Sequence, residues 1–170
     1  MMIGALFHVA VRTRDLDGTI TFYTHVLGMH LAKRPPFGFP GAWIKPSLTD
    51  LAPSIHVYAG DAAKDETGYF AEGTGVVDHV SMVAHGYHAY RQRFVETGLP
   101  FRENRVPDTT LAQLFVYDPN GVMLELIFDV ATESDDVSTE VSEETQYQPK
   151  ERWFEESCYQ NLAEKVKQVR

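Results

Sequence analysis

Residues 6–12 alternate apolar and polar side chains as a half-buried strand does. The period then changes. Leu16, Ile20, Tyr23 and Leu27 recur at helical spacing behind Asp15 and Asp17, either of which can cap, and Gly28 ends the run. Residues 29–34, 42–45 and 54–59 predict three strands, with a Pro- and Gly-rich loop over 35–41. The same order returns after a polar stretch. Residues 77–84 predict a strand, 87–97 a helix closed by Gly98, and 101–106, 111–117 and 122–128 three more strands. Asp118-Pro119-Asn120-Gly121 supplies a hairpin turn between the last two. Gly28 and Gly98 lie 70 residues apart, so the punctuation repeats along with the elements. The reading is a duplicated unit: a first βαβββ module over 1–60, a linker over 61–76, and a second module over 77–130. An acidic linker follows over 131–148, then an amphipathic helix over 149–170 in which Phe154, Cys158, Leu162 and Val166 recur every four residues. The fold class is α+β.

Composition narrows the function. At 170 residues, with 44% apolar and 12% aromatic side chains, the chain fits one domain or two small modules sharing a core. A net charge of −9 argues against nucleic acid, which needs a basic surface. Part of that charge is local, because residues 133–144 carry six acids and no base. The acidic stretch reads as a solvated linker. The single cysteine, Cys158, permits no internal disulfide and suits a reducing cytoplasm. The N-terminus does not read as a signal peptide, and no apolar run is long enough to span a bilayer. The expected partner is a small molecule, with neither nucleic acid nor membrane.

The repeat also carries ligand chemistry. His8 and His79 each stand in the first strand-like run of a module, 71 residues apart. His56 follows His8 by 48 residues and Glu125 follows His79 by 46, each in the last strand-like run of its module. Taken singly, a strand histidine is most often a hydrogen-bonded core residue, and alternation can turn Glu125 to solvent. Taken together they differ, since packing gives no reason to choose histidine twice at one place, and a carboxylate among Met, Leu and Ile needs a cation. Two imidazoles and one carboxylate leave coordination positions open, as a catalytic site does. That donor set suits Fe(II) first, and also Zn, Mn, Ni or Co. His56 is either a fourth ligand or an acid–base beside the ion.

These segments resemble the vicinal oxygen chelate superfamily, which includes glyoxalase I, methylmalonyl-CoA epimerase, fosfomycin-resistance proteins and type I extradiol dioxygenases. The resemblance rests on Phe7-His8-Val9-Ala10-Val11, Asp78-His79-Val80 and the run from Asp118-Pro119-Asn120-Gly121 through Glu125, within residues 5–130. It implies a cup-like, eight-stranded mixed sheet around one divalent metal held by His8, His79 and Glu125. Glyoxalase I carries a ligand Glu where His56 stands, whereas extradiol dioxygenases carry a non-ligand catalytic His there. The resemblance therefore implies a dioxygenase acting on a small catechol-like aromatic, with His56 and Glu125 catalytic. Phe37, Phe39, Trp43 and Phe115 are the expected substrate pocket. A glyoxalase-like lyase or an epimerase is the alternative, with Glu125 doubling as base. A non-catalytic binding protein of the resistance type is the second. Members of the family often form homodimers, and a homodimer is expected here.

Overall fold

The computed structural model describes residues 5–47, 49, 52–134, 137–138 and 140–168. The outermost residues of the predicted first module and C-terminal helix (1–4, 169 and 170), and 135, 136 and 139 of the acidic linker, lie outside them. Two compact units divide the chain, Met1–Ala71 and Glu72–Arg170. The eight expected strands are distributed as two mixed sheets of four. The division falls inside the predicted linker, whose first half forms a 3₁₀ turn at Gly60–Ala63 and a bridge between Lys64 and Phe70.

In the first unit the strands are β1 (Val9–Arg12), β2 (His30–Ala32), β3 (Gly41–Lys45) and β4 (Ile55–Tyr58), in the order β1-β4-β3-β2. β1 runs parallel to β4, and β3 is antiparallel to both β4 and β2. Val11, Ala42, Ile44, Ile55 and Val57 are buried, as are Phe22, Tyr23 and Val26 of the helical segment. At about 25 cal/mol per Å² of apolar surface, such burial is the main drive for this layer. Helix α1 (Leu16–Thr21) starts where the Asp15 carboxylate accepts from the Gly18 N–H at 2.9 Å. The predicted helix over 15–28 changes type midway. Phe22–Val26 form a π-helical turn, closed by the Leu27 N–H donating to the Phe22 carbonyl at 3.0 Å. The Thr24 hydroxyl donates to the Ile20 carbonyl at 2.7 Å, competing with the ordinary helical ladder there.

In the second unit the strands are β5 (Val80–Val83), β6 (Phe101–Arg105), β7 (Leu111–Tyr117) and β8 (Met123–Asp129), in the order β5-β8-β7-β6. β5 is parallel to β8, and β7 is antiparallel to β8 and β6, so the first sheet's pairing is repeated. Helix α2 (Tyr87–Thr97) ends at Gly98, whose φ of 67° is a conformation glycine adopts without strain. Phe94, Leu114, Val116, Leu124, Leu126 and Phe128 form the buried layer. The Asp118 carboxylate accepts from the backbone N–H groups of Asn120 at 2.8 Å and Val122 at 2.9 Å, which fixes the β7–β8 turn.

Some of the described residues after β8 are tied back to the second sheet and its helix. Glu133 accepts from the Gly86 N–H at 2.9 Å and the Tyr87 N–H at 2.8 Å, capping α2 from 46 residues away. Further on, the Glu103 N–H donates to the Thr145 carbonyl at 2.7 Å and the Tyr147 N–H to the Glu103 carbonyl at 2.8 Å. That ladder adds a parallel bridge at Gln146 to the open edge of β6. The C-terminal helix is present but short: α3 spans Leu162–Gln168. Lys150 (φ 81°) and Asn161 (φ 57°) are left-handed and interrupt a longer helix. Phe154 instead packs on Tyr117 with ring centroids 5.5 Å apart, and Cys158 lies in a 3₁₀ turn, Glu156–Tyr159. Among the described residues no helix is long and apolar enough to cross a membrane.

Candidate metal centre

Strand register places the ligand-type residues alike in both units. Ala10 stands opposite His56, and Ser81 stands opposite Glu125. Two residues before each of those partners, just ahead of β1 and β5, are His8 and His79. Side chains two apart along an extended strand share a face, so each first-strand histidine is brought to the side of its sheet that carries the last-strand ligand.

In the first unit the His8 and His56 rings stack with centroids 3.8 Å apart and planes 16° apart. Trp43, paired with His56 across β3 and β4, stacks on it at 4.5 Å and 12°. His56 is thus held between two flat rings. Its exposure is 6%, and its Nε2 and the Nδ1 of His8 are buried with no hydrogen-bond partner among the described residues. Burial first, and then the charges of His8 and Arg34, hold the His56 pKa below the ordinary imidazole value. A ring kept neutral can accept a proton or bind a cation. Phe37 lies 6.0 Å from Trp43 and 5.7 Å from Phe39, centroid to centroid. The Arg34 guanidinium sits 4.8 Å from both phenylalanine rings and donates to the Phe39 carbonyl at 3.0 Å. Phe37, Phe39 and Trp43 therefore form one aromatic wall.

In the second unit His79 Nε2 meets the Glu125 carboxylate at 2.9 Å, and His79 Nδ1 meets Asp78 at 2.7 Å. Glu125 is 5% exposed and points inward, not to solvent. Its other oxygen accepts from the Gln113 side-chain amide. Phe115, across from Glu125 in the β7–β8 register, presents its ring edge-on to His79 at 5.7 Å. The Tyr147 ring stacks on Phe115 at 4.0 Å and 12°.

The four expected ligands thus stand as two pairs, one in each unit. Among the described residues no group of three or more His, Cys, Asp and Glu side chains is gathered closely enough to hold an ion. The donors nonetheless suit a divalent metal. Two buried imidazole nitrogens lack partners among the described residues, and a carboxylate oxygen and an imidazole nitrogen stand 2.9 Å apart. Asp78 behind His79 and Gln113 behind Glu125 are the kind of outer partners that fix a ligand's orientation. Sequence reasoning missed them. Asp78 was legible as a carboxylate adjoining a candidate ligand, and Gln113 as a residue two positions from Phe115 on one strand face. Tyr147 gave no signal, because nothing in the acidic stretch marks a return to the sheet.

A family model for the Glyoxalase/Bleomycin resistance protein/Dioxygenase superfamily matches residues 5–126. Glyoxylase I 4 of Arabidopsis thaliana is 27% identical over 130 residues, covering 73% of this chain and 70% of that protein. A glyoxalase family protein from Bacillus anthracis has a similar fold, with a TM-score of 0.58 at 16% identity over 76% of this chain and 98% of its own. So has a genomically encoded fosfomycin resistance protein from Listeria monocytogenes, with a TM-score of 0.56 at 17% identity over 75% of this chain and 94% of its own. Lactoylglutathione lyase from Agrobacterium tumefaciens gives a TM-score of 0.53 at 17% identity over 75% of this chain and 95% of its own. With its repeated strand register and this match over most of its length, the chain belongs to the Glyoxalase/Bleomycin resistance protein/Dioxygenase superfamily.

Proposed function

We propose that this protein is a divalent-metal-dependent enzyme of the vicinal oxygen chelate type, with His8, His79 and Glu125 as ligands and Fe(II) as the first choice of metal. The lead activity is extradiol-type dioxygenation of a small catechol-like aromatic. The observation that carries the metal reading is the pair of buried, unpartnered ring nitrogens on His8 and His56, set at the register that His79 and Glu125 occupy in the other module. A metal would supply a Lewis acid that binds two neighbouring substrate oxygens. The chain's own residues would do the rest. Gln113 and Asp78 orient Glu125 and His79. Phe37, Phe39 and Trp43 offer flat apolar surfaces to an aromatic substrate, while Phe115, covered by the Tyr147 ring, packs against His79. His56, kept neutral by its burial, takes a proton from a substrate hydroxyl and returns it. The enzyme is proposed to act in the cytoplasm as a homodimer.

A lyase or isomerase is the second reading. It is favoured by the 3.8 Å stacking of His56 on His8, which suits two ligands to one ion, and by the likeness to Glyoxylase I 4. A non-catalytic small-molecule binding protein is the third reading.

The test begins with element analysis of protein purified without air, followed by oxygen uptake with a panel of catechols. Iron with catechol-dependent uptake supports the lead. Turnover of a 2-oxoaldehyde and thiol mixture without oxygen uptake moves the assignment to the lyase. Small-molecule binding by protein that takes up no metal ends the enzymatic reading. His56→Ala separates its two roles, since a proton carrier loses turnover at constant metal content and a ligand loses metal.

A further inference from the structure

The residues after 126 lie beyond the family match, yet they are joined to the second ligand pair by hydrogen bonds from two directions. The first route runs across the sheet. Gln146 Nε2 donates to Asn104 Oδ1 at 3.1 Å, Asn104 Nδ2 donates to Gln113 Oε1 at 2.6 Å, and Gln113 Nε2 donates to Glu125. Glu125 accepts only, so every amide in the row is fixed with its nitrogen toward the carboxylate and its oxygen toward the tail. Such a row polarises each bond in the same sense. The second route enters from the other ligand. The Tyr147 hydroxyl donates to Asp78 Oδ1 at 3.3 Å, and the same oxygen meets His79 Nδ1 at 2.7 Å. Consecutive tail residues therefore reach both members of the His79–Glu125 pair.

We infer that Gln146 and Tyr147 are positioning residues of this site, contributed by a segment beyond the family match, and that they orient Glu125 and His79 for a divalent cation. The inference rests on the proposed ligand role of His79 and Glu125. The segment is placed to do this. Its backbone pairs with β6 on both sides of Glu103, and the Thr145 hydroxyl donates to the Glu103 carboxylate at 2.9 Å. The Tyr147 ring is fixed by its stack on Phe115. Burial first, and then the charge of Asp78, push the Tyr147 phenol up to about 12, so the hydroxyl remains a donor at neutral pH. Anchoring of the tail does not need these bonds. Trp153 and Phe154 pack on Tyr117, the Tyr159 hydroxyl donates to the Tyr117 carbonyl at 2.6 Å, and Leu162 and Val166 are buried. Tyr147 and Arg152 also join Asp78, Tyr117 and Met123 around a cavity of about 360 Å³, which places the tail at the wall of a space beside the pair.

Two near-isosteric substitutions in the full chain test this. Tyr147→Phe keeps the ring stack and removes the hydroxyl, and Gln146→Met keeps length and removes the amide. Long-range proton–nitrogen spectra of the metal-free protein report the His79 ring directly, with the His88 ring on α2 as reference. Cobalt(II) chloride titrations report cation affinity and the ligand field through the cobalt absorption bands. Each variant should move the His79 resonances, leave those of His88 in place, and weaken cobalt binding by about tenfold or more. Wild-type cobalt affinity in both variants overturns the inference while leaving the metal reading intact, whether or not His79 shifts. A wild-type protein that takes up no cobalt removes the metal reading, and the inference with it.

Discussion

Glu103 is 5% exposed, and its carboxylate gathers four hydrogen bonds on the helix side of the second sheet. Tyr87 donates its hydroxyl, Arg91 Nε reaches both oxygens at 3.2 Å, and the Thr145 hydroxyl donates at 2.9 Å. Glu103→Leu keeps the volume and removes all of these. The largest loss is at Tyr87, 1% exposed, whose hydroxyl proton is left buried without an acceptor, a cost of about 1–3 kcal/mol. Arg91 is 44% exposed and turns to water, so its share stays within the 0–1 kcal/mol typical of surface pairs. Thr145 retains Ser142 as a partner at 2.9 Å. Relief of carboxylate desolvation offsets part of the loss. The net expectation is about 1–3 kcal/mol, read as a lower urea midpoint with the slope unchanged. The double variant Glu103→Leu with Tyr87→Phe should recover about 1–2 kcal/mol of it, because the orphaned hydroxyl is gone. A single-variant loss under about 0.5 kcal/mol, or strictly additive losses in the double variant, would refute the assignment of the cost to Tyr87.

Tyr87 also sets an alkaline limit: burial first, and then the Glu103 carboxylate, push its phenol up to about 12. The unfolded phenol ionises near 10, so the unfolded state loses its proton first and stability falls between about pH 10 and 12, by roughly 2–3 kcal/mol for this group. The difference in tyrosinate absorbance between the parent and Tyr87→Phe should then appear together with loss of the fold, and a difference that precedes unfolding would contradict this. Glu133→Ala should cost about 1 kcal/mol in denaturant unfolding and leave α2 more open to amide exchange, because Gly86 provides no cap of its own. No change in exchange near Tyr87 would mean that the cap is idle. At Gly41 an added Cβ would lie 2.2 Å from the Val57 carbonyl oxygen, a backbone atom, so Gly41→Ala should cost about 1–3 kcal/mol. Wild-type stability in that variant would show that β3 and β4 separate freely there.

What was legible in the sequence is what period and punctuation encode. Alternation gave all eight strands, and the glycines at 28 and 98 closed both helical segments where expected. The repeat also located His8, His56, His79 and Glu125, because duplicated elements put equivalent residues at equivalent register. The misses share a cause. The π turn at Phe22–Val26 comes from a Thr24 hydroxyl competing for a carbonyl, which hydrophobic spacing does not register. The broken C-terminal helix depends on Asn161 adopting a left-handed conformation, a tertiary choice within an apparently helical pattern. The ordered acidic segment is held by single polar contacts, Glu133 to α2 and Thr145 to Glu103, so charge density alone suggested solvent.

The two pairs of ligand-type side chains are not equally satisfied. His79 and Glu125 satisfy one another and are supported from behind by Asp78 and Gln113. His8 and His56 do not, since each keeps a buried ring nitrogen without a partner. An orphaned buried polar atom costs about 1–3 kcal/mol, so the His8–His56 pair carries a cost that the His79–Glu125 pair does not. His56→Phe isolates this. A phenyl ring preserves the stacks on His8 and Trp43 and removes one orphan, at the expense of slightly tighter packing. The metal-free variant should be more stable than the parent by about 1 kcal/mol and should lose the proton transfer or metal affinity assigned to His56. A variant less stable than the metal-free parent would show that the His56 nitrogen is already satisfied, and the chief structural support for a cation at this pair would go with it.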